Sequence, residues 1–245
     1  MKKNLCLILI GISGLISCQS NNAKFSVEKP TADQLYADAR KMAKEIKYDS
    51  ALVLLKLSFE KEFDYPMKIV SDSNFYDLID DPIYRPEIRF LLEQFSTTNQ
   101  ATMVRNEEIG EPIYIKGVIV DETTADILEG VKIELVHADN DGFYFIDEGN
   151  WNPRLFSYLT SNSKGEFSIN TIRPGRYKDD DGNYVPAHVH FTLNREGYRS
   201  FGSEFTFEDD SIFKANGNLE NVPVARLLNT DSKNQYFVKI AMQKE

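Results

Sequence analysis

The stretch YVPAHVHFTL, residues 184–193, places two of the chain's three histidines, His188 and His190, two positions apart. Strand side chains alternate between faces, so His188, His190 and Thr192 share one side while Val189, Phe191 and Leu193 share the other. The second side reads as core. The first reads as a site, because packing alone fills an interior with aliphatic residues rather than imidazoles. A zinc ion held by His188, His190 and His137 with a carboxylate and a water is one chemistry open to such residues. His137, however, shares strand parity with Val131, Ile133 and Leu135, and reads as a structural residue at a strand end.

The cysteines narrow the choice further. Residues 1–17, MKKNLCLILIGISGLIS, have a basic start, an apolar run and small residues before Cys18, the layout of a secretory signal. The LISC stretch at 15–18 resembles a bacterial lipobox, which implies cleavage before Cys18 and lipid on its thiol. Cys6 leaves with the signal, so no thiol remains for a disulfide, a thiolate metal site or a cysteine nucleophile. Imidazole and oxygen are then the available metal donors. The formal charge of −10, which becomes −12 once Lys2 and Lys3 are removed, argues against nucleic acid or an anionic membrane surface as partner.

The elements that must position the histidines come in two textures. Residues 18–30 are polar, as expected of a tether. Residues 31–96 are helical in pattern: Thr31 can cap a first helix with Leu35, Ala39, Met42, Ala43 and Ile46 at helical spacing, and a second helix runs from about Tyr48 to Phe63. The stretch from Lys47 to Phe95 resembles one hairpin and flank of a tetratricopeptide-like module, and this segment is the candidate surface for a homodimer contact or a protein partner. Residues 97–108 read as a linker rich in Thr, Asn and Glu. From residue 109 to 245 the pattern alternates in PIYIKGVIVD, GVKIELVHAD, GEFSINTI and NQYFVKIAMQ, separated by turn residues such as Gly130 and Lys164-Gly165. The expected class is α+β by chain, a small helical N-terminal segment followed by a mainly antiparallel β-sandwich.

Within that second part, four stretches in order, GEPIYIKGVIVDETTADILEGVKIELVHADNDGFYFID, SNSKGEFSINTIRPGRY, VPAHVHFTL and SEFTFEDD, resemble the intradiol ring-cleavage dioxygenases, enzymes that cut catechols between their two hydroxyls. The resemblance covers about residues 109–210 and implies a sandwich holding Fe(3+) on two tyrosines and two histidines. The matching positions are Tyr144, Tyr177, His188 and His190, with Tyr144 and His188 implied as equatorial ligands and Tyr177 and His190 as axial ones. Elementary chemistry agrees with that donor set, because phenol has a pKa near 10 and binds well only to an ion charged enough to displace its proton. The resemblance further implies a small aromatic diol and O2 as substrates, and a Tyr177 that yields its place and takes a substrate proton.

The chain also departs from that family. An arginine is usual three residues before the first histidine, where this sequence has Val185. A polar position commonly filled by Gln corresponds to Glu204, which is therefore a candidate catalytic residue beside Tyr177. Arg173 or Arg176 in the PGRY region could supply the missing charge. A slow or differently selective enzyme follows if neither does, since a lost preorganised charge costs on the order of 3 kcal/mol. The alternative is a noncatalytic, transthyretin-like sandwich that serves as an envelope binding module. Either reading expects a lipid-anchored protein of the bacterial cell envelope, at the outer membrane.

Overall fold

The computed structural model describes residues 29–145, 152–216, 222–228 and 234–245. The signal segment, Cys18 and most of the tether lie outside the described residues. The chain opens with an antiparallel helical hairpin, α1 (Ala32–Lys44) and α2 (Tyr48–Glu60). Thr31 and Gln34 cap α1 reciprocally, the hydroxyl of Thr31 accepting from the Gln34 amide while the Gln34 side chain accepts from the Thr31 amide. Ile46 does not continue the α1 stripe as its spacing suggested. It sits beyond the helix at φ +57° and is 74% exposed, because the chain must reverse there to bring α2 back along α1.

Two 3₁₀ turns, Pro66–Val70 and Ser73–Phe75, lead into α3 (Tyr76–Asp80) and α4 (Arg85–Phe95). Among the described residues nine strands follow: β1 (Gln100–Thr102), β2 (Pro112–Asp121), β3 (Lys132–His137), β4 (Leu155–Thr160), β5 (Glu166–Ile172), β6 (His188–Asn194), β7 (Phe201–Phe207), β8 (Val224–Leu227) and β9 (Gln235–Met242), with α5 (Ser211–Asn216) between β7 and β8. Their order is β1-β5-β2-β9-β8-β7-β6-β3-β4. The β1-β5, β2-β9 and β7-β8 pairs are parallel and the rest antiparallel, so the mainly antiparallel expectation holds. Inward residues such as Ile115, Ile133, Val189, Phe205, Tyr236 and Val238 share a core with Leu55, Met67, Phe75 and Leu92 of the helical segment.

The supposed linker contains β1. Its polar sequence shows no strand pattern, and its extended form comes from a neighbour: β1 pairs in parallel with β5, with Met103 N donating to Asn170 O (3.0 Å) and Ser168 N to Asn99 O (2.8 Å). The helical segment is joined to the sandwich by two buried or half-buried arginines of α4. Arg85, fully buried, donates to the carbonyls of Ile79, Asp80 and Asn152. Arg89 donates to Asn152 Oδ1 (2.6 Å) and Tyr158 Oη (3.1 Å), pairs with Glu134, and lies over the Phe156 ring. Among the described residues no helix is long and apolar enough to cross a membrane.

Candidate metal centre

Strand β6 pairs on one side with β3 and on the other with β7, which fixes which face His188 and His190 present. Val189, Phe191 and Leu193 are fully buried in the core, as strand parity requires. The opposite face turns His188 and His190 toward two loops. One follows β3 and carries Tyr144; the other follows β5 and carries Tyr177.

The Tyr144 loop is shaped by Asp139, whose carboxylate accepts from the amides of Asp141 and Phe143 (both 3.0 Å), while Asp139 N donates to Phe143 O. It is locked to the Tyr177 loop backbone to backbone. Gly175 N donates to Asp139 O (2.8 Å), and a Cβ on Gly175 would stand 2.3 Å from Asn140 O and 2.5 Å from Gly142 N. A Cβ on Gly142, at φ +89°, would meet Arg176 O at 2.7 Å. Only glycine permits this approach. Beyond the loop, Arg154 N donates to Tyr144 O (2.8 Å).

The Tyr177 loop is held by Asp210, a fully buried carboxylate just before α5. It accepts from Arg176 Nε (3.1 Å) and Nη2 (2.9 Å), from Ala187 N (3.3 Å), and from the amides of Ile212 (2.9 Å) and Phe213 (3.2 Å). One side chain thus ties the residue before Tyr177 to the residue before His188. Burial pushes its pKa upward, but those donors win and hold the carboxyl below its usual range.

The result is convergence on one atom. His188 Nε2 lies 3.0 Å from Tyr144 Oη, 3.2 Å from Tyr177 Oη and 3.2 Å from His190 Nε2. The Glu204 carboxylate, opposite His190 in the β6-β7 register, is 3.8 Å from both His188 Nε2 and His190 Nδ1. Tyr144, Tyr177, His188, His190 and Glu204 therefore meet. His190 is partly open to solvent, while buried His188 and half-exposed Glu204 line a cavity of about 650 Å³ together with Tyr177, Tyr184, Val185 and Ile212.

Hydrogen bonding does not account for this cluster by itself. His188 Nδ1 lies 2.8 Å from Pro186 O, and a carbonyl only accepts, so the ring proton sits on Nδ1 and Nε2 offers a lone pair. That one lone pair faces three donor-type atoms at 3.0–3.2 Å, of which it can bond one well. A cation at their midst would accept all of them, and a histidine steadied through its other nitrogen is the usual form of a metal ligand. The His188, His190 and Glu204 donor atoms alone lie within 4.8 Å of one another. Burial, then the neighbouring Tyr177, pushes the Tyr144 phenol far above its ordinary pKa; burial likewise raises Tyr177, against a hydrogen bond from Tyr144. Burial and then His188 depress His190. The phenols stay protonated unless a strong cation displaces the proton. The donor set therefore fits a hard, highly charged metal ion better than zinc, which would leave the tyrosines unused.

His137 is elsewhere. It is fully buried, with Nδ1 2.7 Å from Ala138 O and Nε2 2.6 Å from Thr171 Oγ1, so the three-histidine zinc arrangement does not form. Neither arginine of the PGRY region replaces the charge absent at Val185. Arg173 donates to Asp209 (3.0 Å) and Tyr236 Oη (2.6 Å), and Arg176 is held by Asp210 and Ser211. Sequence reasoning missed Asp210 and the Gly142–Gly175 contact. The Asp210-Ser-Ile-Phe start of α5 is a readable helix cap, but nothing linear connects it to Arg176.

Comparison with known proteins gives four similarities. A family model described as dioxygenase matches residues 79–235. The chlorocatechol 1,2-dioxygenase of Pseudomonas putida is 26% identical over 112 residues, which is 40% of this chain and 43% of that protein, so the chain spans under half of that relative. The crystal structure of catechol 1,2-dioxygenase from Acinetobacter radioresistens superposes on 88% of this chain and 94% of its own at a TM-score of 0.50 and 16% identity, a likeness of fold. The 3-chlorocatechol 1,2-dioxygenase of Rhodococcus opacus 1CP gives a TM-score of 0.48 at 22% identity, covering 59% of this chain and 64% of its own.

Proposed function

The chain belongs to the intradiol dioxygenase family, and from that premise we propose that it is an Fe(III)-dependent dioxygenase that opens a catechol-type ring between its two hydroxyl carbons with O2. The observation that carries the proposal is the meeting of Tyr144, Tyr177, His188 and His190 around one point, with His188 Nε2 within 3.0–3.2 Å of the other three donor atoms.

Bound among these donors, a ferric ion supplies Lewis acidity to the catechol and a fixed template for it. The protein does the rest. Pro186 O fixes the His188 tautomer and ring direction through Nδ1. Tyr144, held by Arg154 N and by the Gly142–Gly175 contact, is the more enclosed phenol and serves as a permanent anionic donor. Tyr177, which also lines the cavity, would as a metal-held phenolate be placed to take one catechol proton at Oη. Glu204, 3.8 Å from both imidazoles and facing the same cavity, is placed to take the second proton at its carboxylate. Tyr184, Val185, Pro186 and Ile212 shape the apolar part of the wall against which the ring lies. Both atoms of O2 enter the product, a muconate-type diacid, so no external reductant is consumed.

With Val185 uncharged, and Arg173 and Arg176 both engaged with aspartates, neither of these arginines is placed to favour the carbanion-like ring, and turnover is expected to be slow relative to an enzyme with an arginine at the Val185 position. Lipid on Cys18 would hold this activity at the cell envelope, where external aromatics arrive. The test is oxygen uptake by iron-loaded protein given catechol. One O2 consumed per ring, with a muconate product that disappears in Tyr177→Phe, supports the proposal. Iron-loaded protein that consumes no O2 with any vicinal diphenol refutes it and leaves the noncatalytic sandwich reading.

A further inference from the structure

The charges around the cavity are one-sided. Its lining residues include two carboxylates, Asp179 and Glu204, and no arginine or lysine. Asp179 belongs to an exposed turn, Lys178–Tyr184, closed by the bridge between those two residues and carrying Asp180 and Asp181 as well. The cations of the Tyr177 loop and the following turn have partners. Arg173 and Arg176 are bound to Asp209 and Asp210, and the Lys178 ammonium lies against the outer wall residue Tyr184, 5.3 Å from its ring centroid. The remaining wall, Tyr184, Val185, Pro186 and Ile212, is apolar or aromatic. A ring substituent that projects from the metal centre toward the mouth therefore meets carboxylates beside an apolar wall, a setting that attracts ammonium groups and repels carboxylates.

Resting on the dioxygenase reading above, we infer that the preferred substrate is a catechol bearing a cationic, ammonium-terminated side chain, and that catechols bearing a carboxylate are discriminated against. The Asp179 turn is the part of the wall that reads the substituent, and the net charge of −10 reinforces its sign by steering cations toward the molecule. Carboxylates partly open to solvent, as these are, discriminate modestly, so the expected preference is about tenfold on each side of the neutral ring.

The experiment compares kcat/KM of the iron-loaded full chain for catechol, 3,4-dihydroxybenzoate and 2-(3,4-dihydroxyphenyl)ethylamine at low salt, then at high salt. The expected order is amine, catechol, benzoate, with the spread narrowing as salt screens the mouth. Asp179→Asn keeps the acceptor for the Asn183 amide (2.8 Å) and so preserves the turn, and it should shrink the amine-to-benzoate ratio several-fold. Equal kcat/KM for the three, a benzoate preference, or a ratio indifferent to both salt and Asp179→Asn overturns the inference while leaving the dioxygenase reading standing. Absence of turnover on all three by iron-containing protein defeats the underlying reading, and the inference with it.

Discussion

Replacing Gly175 with alanine tests whether the two tyrosine loops are a single rigid support. The added Cβ would lie 2.3 Å from Asn140 O, 2.5 Å from Gly142 N and 2.6 Å from Asn140 C, all backbone atoms. Ordinary van der Waals contact begins near 3.4 Å, so the loops must separate by about 1 Å, since no flexible side chain can give way. Overpacking of this kind costs about 1–3 kcal/mol of stability. The larger effect is on the centre, because Tyr144 and Tyr177 each stand two residues from the contact and metal–ligand distances tolerate shifts of about 0.2 Å. Iron affinity should fall by about 10–100-fold, the range found when a ligand's support is lost. The assay is an iron titration followed through visible absorption, with a urea melt of the metal-free protein in parallel. Wild-type iron affinity together with an unchanged melting midpoint would refute the argument that these loops are locked through glycine.

Asp210→Ala removes the carboxylate shared by Arg176, Ala187 and the α5 cap and should destabilise the fold by about 3–5 kcal/mol in urea unfolding, whereas Asp210→Asn, which keeps an acceptor, should cost about half of that. His137 has its pKa pushed down to about 4, chiefly by burial, from an unfolded value of 6.5. The unfolded chain then binds more protons between those values, so stability is full above pH 6.5 and falls by about 3 kcal/mol as pH drops to 4, a loss that His137→Gln should flatten in melts across that range. Val185→Arg places a guanidinium on the cavity wall and should raise kcat on catechol by about tenfold or more; an unchanged kcat would mean that ring activation here needs no added charge.

Much of the site was legible because its chemistry lies on a strand. The alternation in YVPAHVHFTL assigns His188 and His190 to one face, and the structure keeps them there with Val189, Phe191 and Leu193 in the core. Tyr144 and Tyr177 have no such periodicity, being loop residues, and only the family resemblance singled them out. Strand β4 escaped pattern reading for a physical reason. Leu155 to Leu159 are buried without alternation, one face on the sandwich core and the other under Arg89 and the helical segment, so LFSYLT has no polar side to betray it. Strand β1 is too polar and short to announce itself, and Asp210 acquires its role only when segments more than twenty residues apart meet.

The most direct measurement is the visible absorption spectrum of iron-loaded protein with its iron content. Phenolate coordinated to a ferric ion absorbs visible light, so the account predicts about one iron per chain and a wine-coloured preparation, with the colour reduced in Tyr177→Phe and both colour and iron lost in His188→Ala. A protein that binds no iron, or binds it without colour and keeps it in His188→Ala, would contradict the assignment of these residues as one metal centre.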